Sequence, residues 1–210
     1  MENVLSILFC LSLLYLALTS RVKHCVNVLQ AQGIILAVIN TLPLFHHFTL
    51  GEIILPAALL GIKGVLIPFY IRKIITDLDI KDPIEPTIQQ FTFIMLVITL
   101  MSAVFVASGI LAKSTEINII PFASGFSAII TGILVIIFRK KLLVHVMGFL
   151  AMENGIFLFG SAIAFKLPVI IELGMLLDIF VVVFLMGIAL NKISTTLSGF
   201  EAAQLRRLKD

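Results

Sequence analysis

The sequence predicts an all-α polytopic membrane protein of about seven transmembrane helices, with a 3+1+3 parallel repeat as its candidate internal plan. Three observations carry that prediction. The chain is 60% hydrophobic and 13% charged over 210 residues, with a mean hydropathy of +1.17, whereas soluble domains run near half apolar and a quarter charged. Its apolar runs are long and continuous, as helices crossing a bilayer core of about 30 Å require. A transmembrane barrel would show roughly ten-residue alternating segments instead. Its basic residues, finally, gather in every second loop.

The spans are expected at 2–19, 26–45, 52–72, 91–112, 117–138, 142–164 and 168–190. The first sits at the lower limit of a crossing length. The second holds Asn27, Gln30, Gln32 and Asn40, so it must face other helices. Pro43, Pro56, Pro68, Pro121 and Pro168 fall near span ends or inside the third span, where a bundle tolerates kinks. These spans divide the chain into an N-terminal three-helix unit (1–75) and a cytoplasmic loop with a connecting fourth span (76–116). A C-terminal three-helix unit (117–193) and a cytoplasmic amphipathic tail (194–210) follow.

Positive charge sets the expected topology. The loops after spans one, three, five and seven hold Arg21, Lys23, Arg72, Lys73, Lys81, Arg139, Lys140, Lys141, Lys192, Arg206, Arg207 and Lys209, and the opposite loops hold only Lys113 and Lys166. The positive-inside rule then places the N-terminus outside and the C-terminus in the cytoplasm, in a cell (inner) membrane. The same asymmetry supports an odd number of spans.

Several function classes are set aside by the same reading. Cys10 and Cys25 lie in apolar stretches without a CxxC or Cys/His cluster, which argues against a disulfide framework, zinc site, iron–sulfur cluster or c-type haem. The net charge of +3 reads as loop composition rather than a nucleic-acid surface. The first helix lacks the basic leader of a signal peptide. The longest polar stretches, 76–90 and 191–210, are too short for a hidden soluble domain. No catalytic, metal-binding or cofactor-binding residue is expected, and the lipid bilayer is the one partner that composition itself requires.

A faint repeat links "QGIILAVINTLP" (32–43) with "NGIFLFGSAIAFKLP" (154–168). Each follows a basic loop and precedes another span, so spans one to three and five to seven read as parallel copies, with span four reversing the chain between them. Membrane transport proteins are often built from such repeats.

Three ionisable residues fall near the bilayer centre: Lys63 in span three, Glu153 in span six and Asp178 in span seven. A charge there costs about 2.5–3.5 kcal/mol on insertion scales. Pairing, water contact or neutralisation relieves that cost, and a coupled carboxyl–lysine–carboxyl set can pass protons because each charge state depends on its neighbours. The plainer reading is an ion pair that registers three helices. Three such groups on three helices favour proton or ion handling. Asn154, about 100° around the helix from Glu153, reads as a helix-packing hydrogen bonder on another face.

Further relay candidates surround this set. Glu172 is an outer relay carboxylate or an interface anchor. His145, about 12 Å along the helix from Glu153, feeds protons from the cytoplasm or sits at the interface. Gln30 and Gln32 line a polar path or hydrogen-bond between helices. Glu52 reads as a solvated span end, and His46 with His47 lack further metal ligands. The tail, opening on the capping box Ser198-x-x-Glu201, lies on the membrane surface or meets a soluble partner.

The run "FRKKLLVHVMGFLAMENGIFLF", followed by a span with a midplane acid, resembles the small three-helix subunit of respiratory complex I and the cation-antiporter C subunit over about 117–193. The length, the extra N-terminal spans and "ENGIFLF" are closer to hydrogenase-4 component E, a membrane subunit of group 4 membrane-bound nickel–iron hydrogenase and formate hydrogenlyase-type complexes. That resemblance implies a non-catalytic subunit among other membrane and soluble subunits of a hydrogenase-like complex. The soluble partners carry out the redox chemistry, and the membrane arm couples it to proton or sodium movement. It also implies carboxyls in the second and third helices of the C-terminal unit. Asp178 falls at the matching place, but Glu153 lies one turn beyond the relatives' glutamate, where this chain has Leu150. The rival readings are an autonomous secondary transporter or antiporter component, and a purely structural membrane anchor.

Overall fold

Long apolar runs satisfy their backbone groups internally as helices, and helices are what the described residues form. The computed structural model describes residues 1–41, 57, 60–77, 87–111, 118–163, 174, 178, 181, 184 and 187. Among the described residues, α1 is Glu2–Leu18, α2 is Val22–Thr41, and a π-helical segment, Leu60–Leu66, runs into α3, Ile67–Asp77. Then come α4 (Gln90–Leu111), α5 (Ile119–Phe138) and α6 (Leu142–Ala162). Every one of these elements is helical. The isolated positions Gly174, Asp178, Val181, Phe184 and Gly187 are helical as well. Glu172, Glu52, His46, His47, Lys113, Lys166, the expected loop at 78–86 and the tail at 194–210 lie outside the described residues.

Four of the described helices, α2, α4, α5 and α6, are long and apolar enough to cross a membrane. α1 is equally apolar but shorter, at 17 residues. Two ends differ from expectation. α2 begins at Val22, four residues before the expected start, because Val22, Cys25 and Val26 are buried while Lys23 points out. α3 continues to Asp77, beyond the expected end at 72. Ile67, Ile71, Ile74 and Ile75 form its buried face and Arg72 and Lys73 its exposed one, the stripe that defines an amphipathic helix.

The tightest pair is α5 against α6, antiparallel and seamed by small residues. A Cβ on Gly132 would stand 2.5 Å from the Gly148 carbonyl oxygen, and one on Gly155 would stand 2.6 Å from Ala128 Cβ and 2.7 Å from the Gly125 carbonyl oxygen. Without Cβ atoms the backbones approach closely enough for dispersion to hold them, as in small-residue seams between membrane helices. Here Gly125 and Gly132 on one helix face Gly148 and Gly155 on the other, each pair seven residues apart. That spacing keeps them on one stripe.

α4 is packed differently. Phe93, Val97, Met101, Val104 and Ser108 form its one buried stripe, while Phe91, Val106 and Ile110 are about two-thirds exposed. A helix apolar all round but covered on one stripe has a second apolar environment waiting outside the chain.

The basic helix ends meet. Arg139, at the C-terminus of α5, donates through Nη2 to the Ala17 carbonyl (3.2 Å), and Gln90 Nε2 donates to the same carbonyl (2.7 Å) and to Leu18 (3.2 Å). Two carbonyls that the end of α1 leaves without intrahelical partners are thereby satisfied, one by a cation that also complements the helix dipole. The Arg139 guanidinium lies 4.7 Å over the Phe93 ring and is 4% exposed. A residue expected among solvated loop charges is therefore a buried clamp joining α1, α4 and α5.

Candidate functional site

The position of Lys63 begins with Pro68. Proline has no N–H to offer the carbonyl four residues back, and its ring crowds that carbonyl. The carbonyl is that of Gly64, in the π-helical segment just ahead of Pro68. Gln30 Nε2 of α2 donates to it at 3.0 Å, and Arg72 Nη2 in turn donates to Gln30 Oε1 (2.5 Å) and Asn27 Oδ1 (3.0 Å). α2 lies hard against this segment. A Cβ on Gly33 would stand 2.9 Å from both the carbonyl carbon and the oxygen of Lys63, so only glycine permits the approach.

Lys63 is 5% exposed, Glu153 2% and Asp178 1%. The structure brings the three together. Lys63 Nζ donates to Glu153 Oε1 at 2.7 Å and to Asn154 Oδ1 at 3.2 Å, and stands 3.6 Å from Asp178 Oδ2. Gly174, one turn before Asp178, lies beside Glu153: a Cβ there would stand in ordinary contact with Oε1, at 3.4 Å. Glu153 Oε2 and both Asp178 carboxylate oxygens are buried with no hydrogen-bond donor among the described residues.

Asn154 is the interhelical hydrogen bonder that the sequence suggested, and it is a member of this cluster as well. The 100° step from Glu153 was expected to carry it to another face. The Lys63 ammonium reaches the space between the two side chains and donates to both. Asn154 Nδ2 then donates to Gln32 Oε1 (3.3 Å), Gln32 Nε2 to Ser12 Oγ (2.9 Å), and the Ser12 hydroxyl to the Phe9 carbonyl (2.5 Å). A continuous polar line thus runs from the ammonium through α6 and α2 to α1. Ser12 was not singled out by sequence reasoning. Its signal was slight: a hydroxyl midway along a mostly apolar helix that also carries Ser6.

The relay candidates separate. Gln32 joins the cluster. Gln30, two residues away and about 200° around the helix, serves the Gly64 carbonyl and Arg72. His145 is not brought to Glu153: its Nε2 donates to the Arg139 carbonyl at the basic end of α6. Glu172 lies outside the described residues. A cavity of about 10 Å³ is bounded by Lys63, Asn154 and Asp178 on its polar side and by Leu150 and Pro68 on its apolar side, about the volume one water needs. Leu150, where the resemblance implies a carboxyl, faces this same cavity.

Chemically, the cluster sets two carboxyls against one ammonium. One bound proton brings its formal charge to zero and turns one carboxyl into a donor for the oxygens that lack one. Among the described residues no group of His, Cys, Asp and Glu side chains has the arrangement to hold a metal ion. Comparison of the chain with protein-family models, with curated proteins and with solved structures finds no match.

Proposed function

We propose that this chain is a membrane subunit of a hydrogenase-like, complex I-related respiratory complex, of the hydrogenase-4 component E type, in which Lys63, Glu153 and Asp178 pass protons or sodium ions in step with redox chemistry in partner subunits. The observation that carries the reading is the buried Lys63 ammonium between two carboxyls from two other helical positions. Burying charges is costly and removable by apolar replacement, so their presence on three elements at mid-span argues for use. Leu150, where the resemblance implies a carboxyl, lines the small cavity that Lys63, Asn154 and Asp178 border, which supports the resemblance in placing that position beside the cluster.

The proposal includes seven spans, an outside N-terminus, a cytoplasmic C-terminus and an inner-membrane location. The clustering of the ends of α1, α3 and α5, with their basic residues, supports that orientation. The 3+1+3 repeat draws support from Gln32 and Asn154. They open the two similar segments and hydrogen-bond to each other, and the Lys63–Asp178 contact joins spans three and seven in the same way.

The test is Glu153→Gln in the native complex, with redox-driven proton uptake measured in membrane vesicles. Loss of uptake with assembly and redox turnover retained is the expected result; full coupling with intact assembly would sink the proposal. Co-purification of the wild-type chain with redox subunits is expected as well, and a stable homo-oligomer free of them would favour an autonomous transporter. The anchor reading is favoured by one observation, the number of elements that Lys63 ties together. It predicts uptake unchanged in Glu153→Gln.

A further inference from the structure

The hydrogen-bond line from Lys63 to α1 has a direction that chemistry fixes. The Phe9 carbonyl can only accept, so the Ser12 hydroxyl donates to it and offers its lone pairs to Gln32. Gln32 Nε2 takes that acceptor, which turns Oε1 toward α6. Oε1 can only accept, so Asn154 presents Nδ2 to it, and Oδ1 is left facing the Lys63 ammonium. Each amide is oriented by the one before it, and none can flip without placing like against like. Gln32 is fully buried and Asn154 is 4% exposed, so no bulk water is at hand to replace a lost partner.

We infer that Asn154 is a positioning residue for Lys63, oriented from α1 through Gln32 and Ser12, and that this chain of bonds holds the ammonium between Glu153 and Asp178. The inference rests on the proton-handling reading of the cluster, but concerns the lysine rather than the carboxyls. The charged groups facing Lys63 among the described residues are Glu153 of α6 and Asp178; α2 contributes the neutral Gln32 and, through Gly33, its bare backbone. Of the two anions only Glu153 is within hydrogen-bond distance. The Asn154 oxygen supplies the second acceptor and so decides where the ammonium points. A serine on α1 thereby sets the geometry of an ion cluster on three other elements.

The test uses the full chain in lipid vesicles with nitrogen-15-labelled lysine, read by solid-state NMR, alongside infrared spectra of its carboxyl groups over a pH series. In the wild type the Lys63 ammonium should give one immobilised signal. Ser12→Ala, the mildest change, should broaden or split it. Gln32→Leu should do the same, and Ser12→Thr, which keeps the hydroxyl, should restore the single signal. The pH midpoint of the Glu153 carboxyl band should also be displaced in Ser12→Ala, through the loosened Lys63 ammonium, and unmoved in Ser12→Thr. A Lys63 signal indifferent to both Ser12→Ala and Gln32→Leu overturns the inference. A wild type whose Glu153 and Asp178 bands never titrate, with Lys63 still fixed through Ser12, overturns the proton-handling reading and leaves the positioning role standing.

Discussion

Lys63 carries three N–H donors into a nearly dry site, and it meets Glu153 and Asn154 directly with Asp178 at slightly longer range. Removing the cation strands two buried carboxylates, and breaking a buried ion pair on one side costs about 3–5 kcal/mol. Lys63→Leu is therefore expected to lower stability by that amount in a denaturation titration of the detergent-solubilised chain. Adding Glu153→Leu and Asp178→Leu should recover most of it, because apolar groups of similar size can replace a whole ionic set. A triple variant as weak as Lys63→Leu alone would contradict this. That these three residues would be buried was legible from the apolar runs that hold them. Their side-chain partners were not: two neighbours on one helix can flank the end of a flexible lysine stem despite a 100° separation. Gln30 and Gln32 looked equivalent in sequence, yet they face different elements.

At the level of elements, the two devices that place the site are close backbone approach and one interrupted helix. Gly132 meets the Gly148 carbonyl in the α5–α6 seam, while Gly109 on α4 has nothing within 4 Å of its missing Cβ. Gly132→Leu is expected to cost about 3 kcal/mol through overpacking against backbone. Gly109→Ala should be neutral or raise stability by about 0.5–1 kcal/mol, as replacing a mid-helix glycine does. The same denaturation measurement separates them, and equal effects would refute the seam. Helix limits were readable to within a few residues because hydropathy changes sharply at them. The π-helical turn was not. Pro68 marked a kink, but the identity of the donor to the Gly64 carbonyl depends on Gln30, more than thirty residues away in sequence. Helix rotation was equally hidden in α4, whose mostly apolar faces give little polar side to read.

Across the whole molecule, the ends of α1, α3 and α5 and the starts of α2, α4 and α6 fall on one side, and the basic residues fall with them. Lys140 and Lys23 are exposed at this end, and Asn118 is exposed at the other, where α5 begins. In oriented vesicles, Lys140→Cys and Lys23→Cys should react with an impermeant thiol reagent from the cytoplasmic face only, and Asn118→Cys from the outer face only. Opposite labelling would invert the proposed topology; labelling of all three from one face would deny that α5 crosses.

The depth of the cluster has a consequence of its own. Glu153 stands near the middle of α6, eleven residues from Leu142 and nine from Ala162. A unit charge carried across the full membrane potential changes in energy by about 2.3 kcal/mol per 100 mV, so a proton that travels from either surface to Glu153 crosses about half of that field. On the proposed proton-handling reading its occupancy then answers to voltage as well as to acidity: at fixed pH, a change of about 100 mV is worth roughly 1 kcal/mol, about sixfold in occupancy. On the proposed function, the cluster would sense the membrane potential as well as the pH on either side.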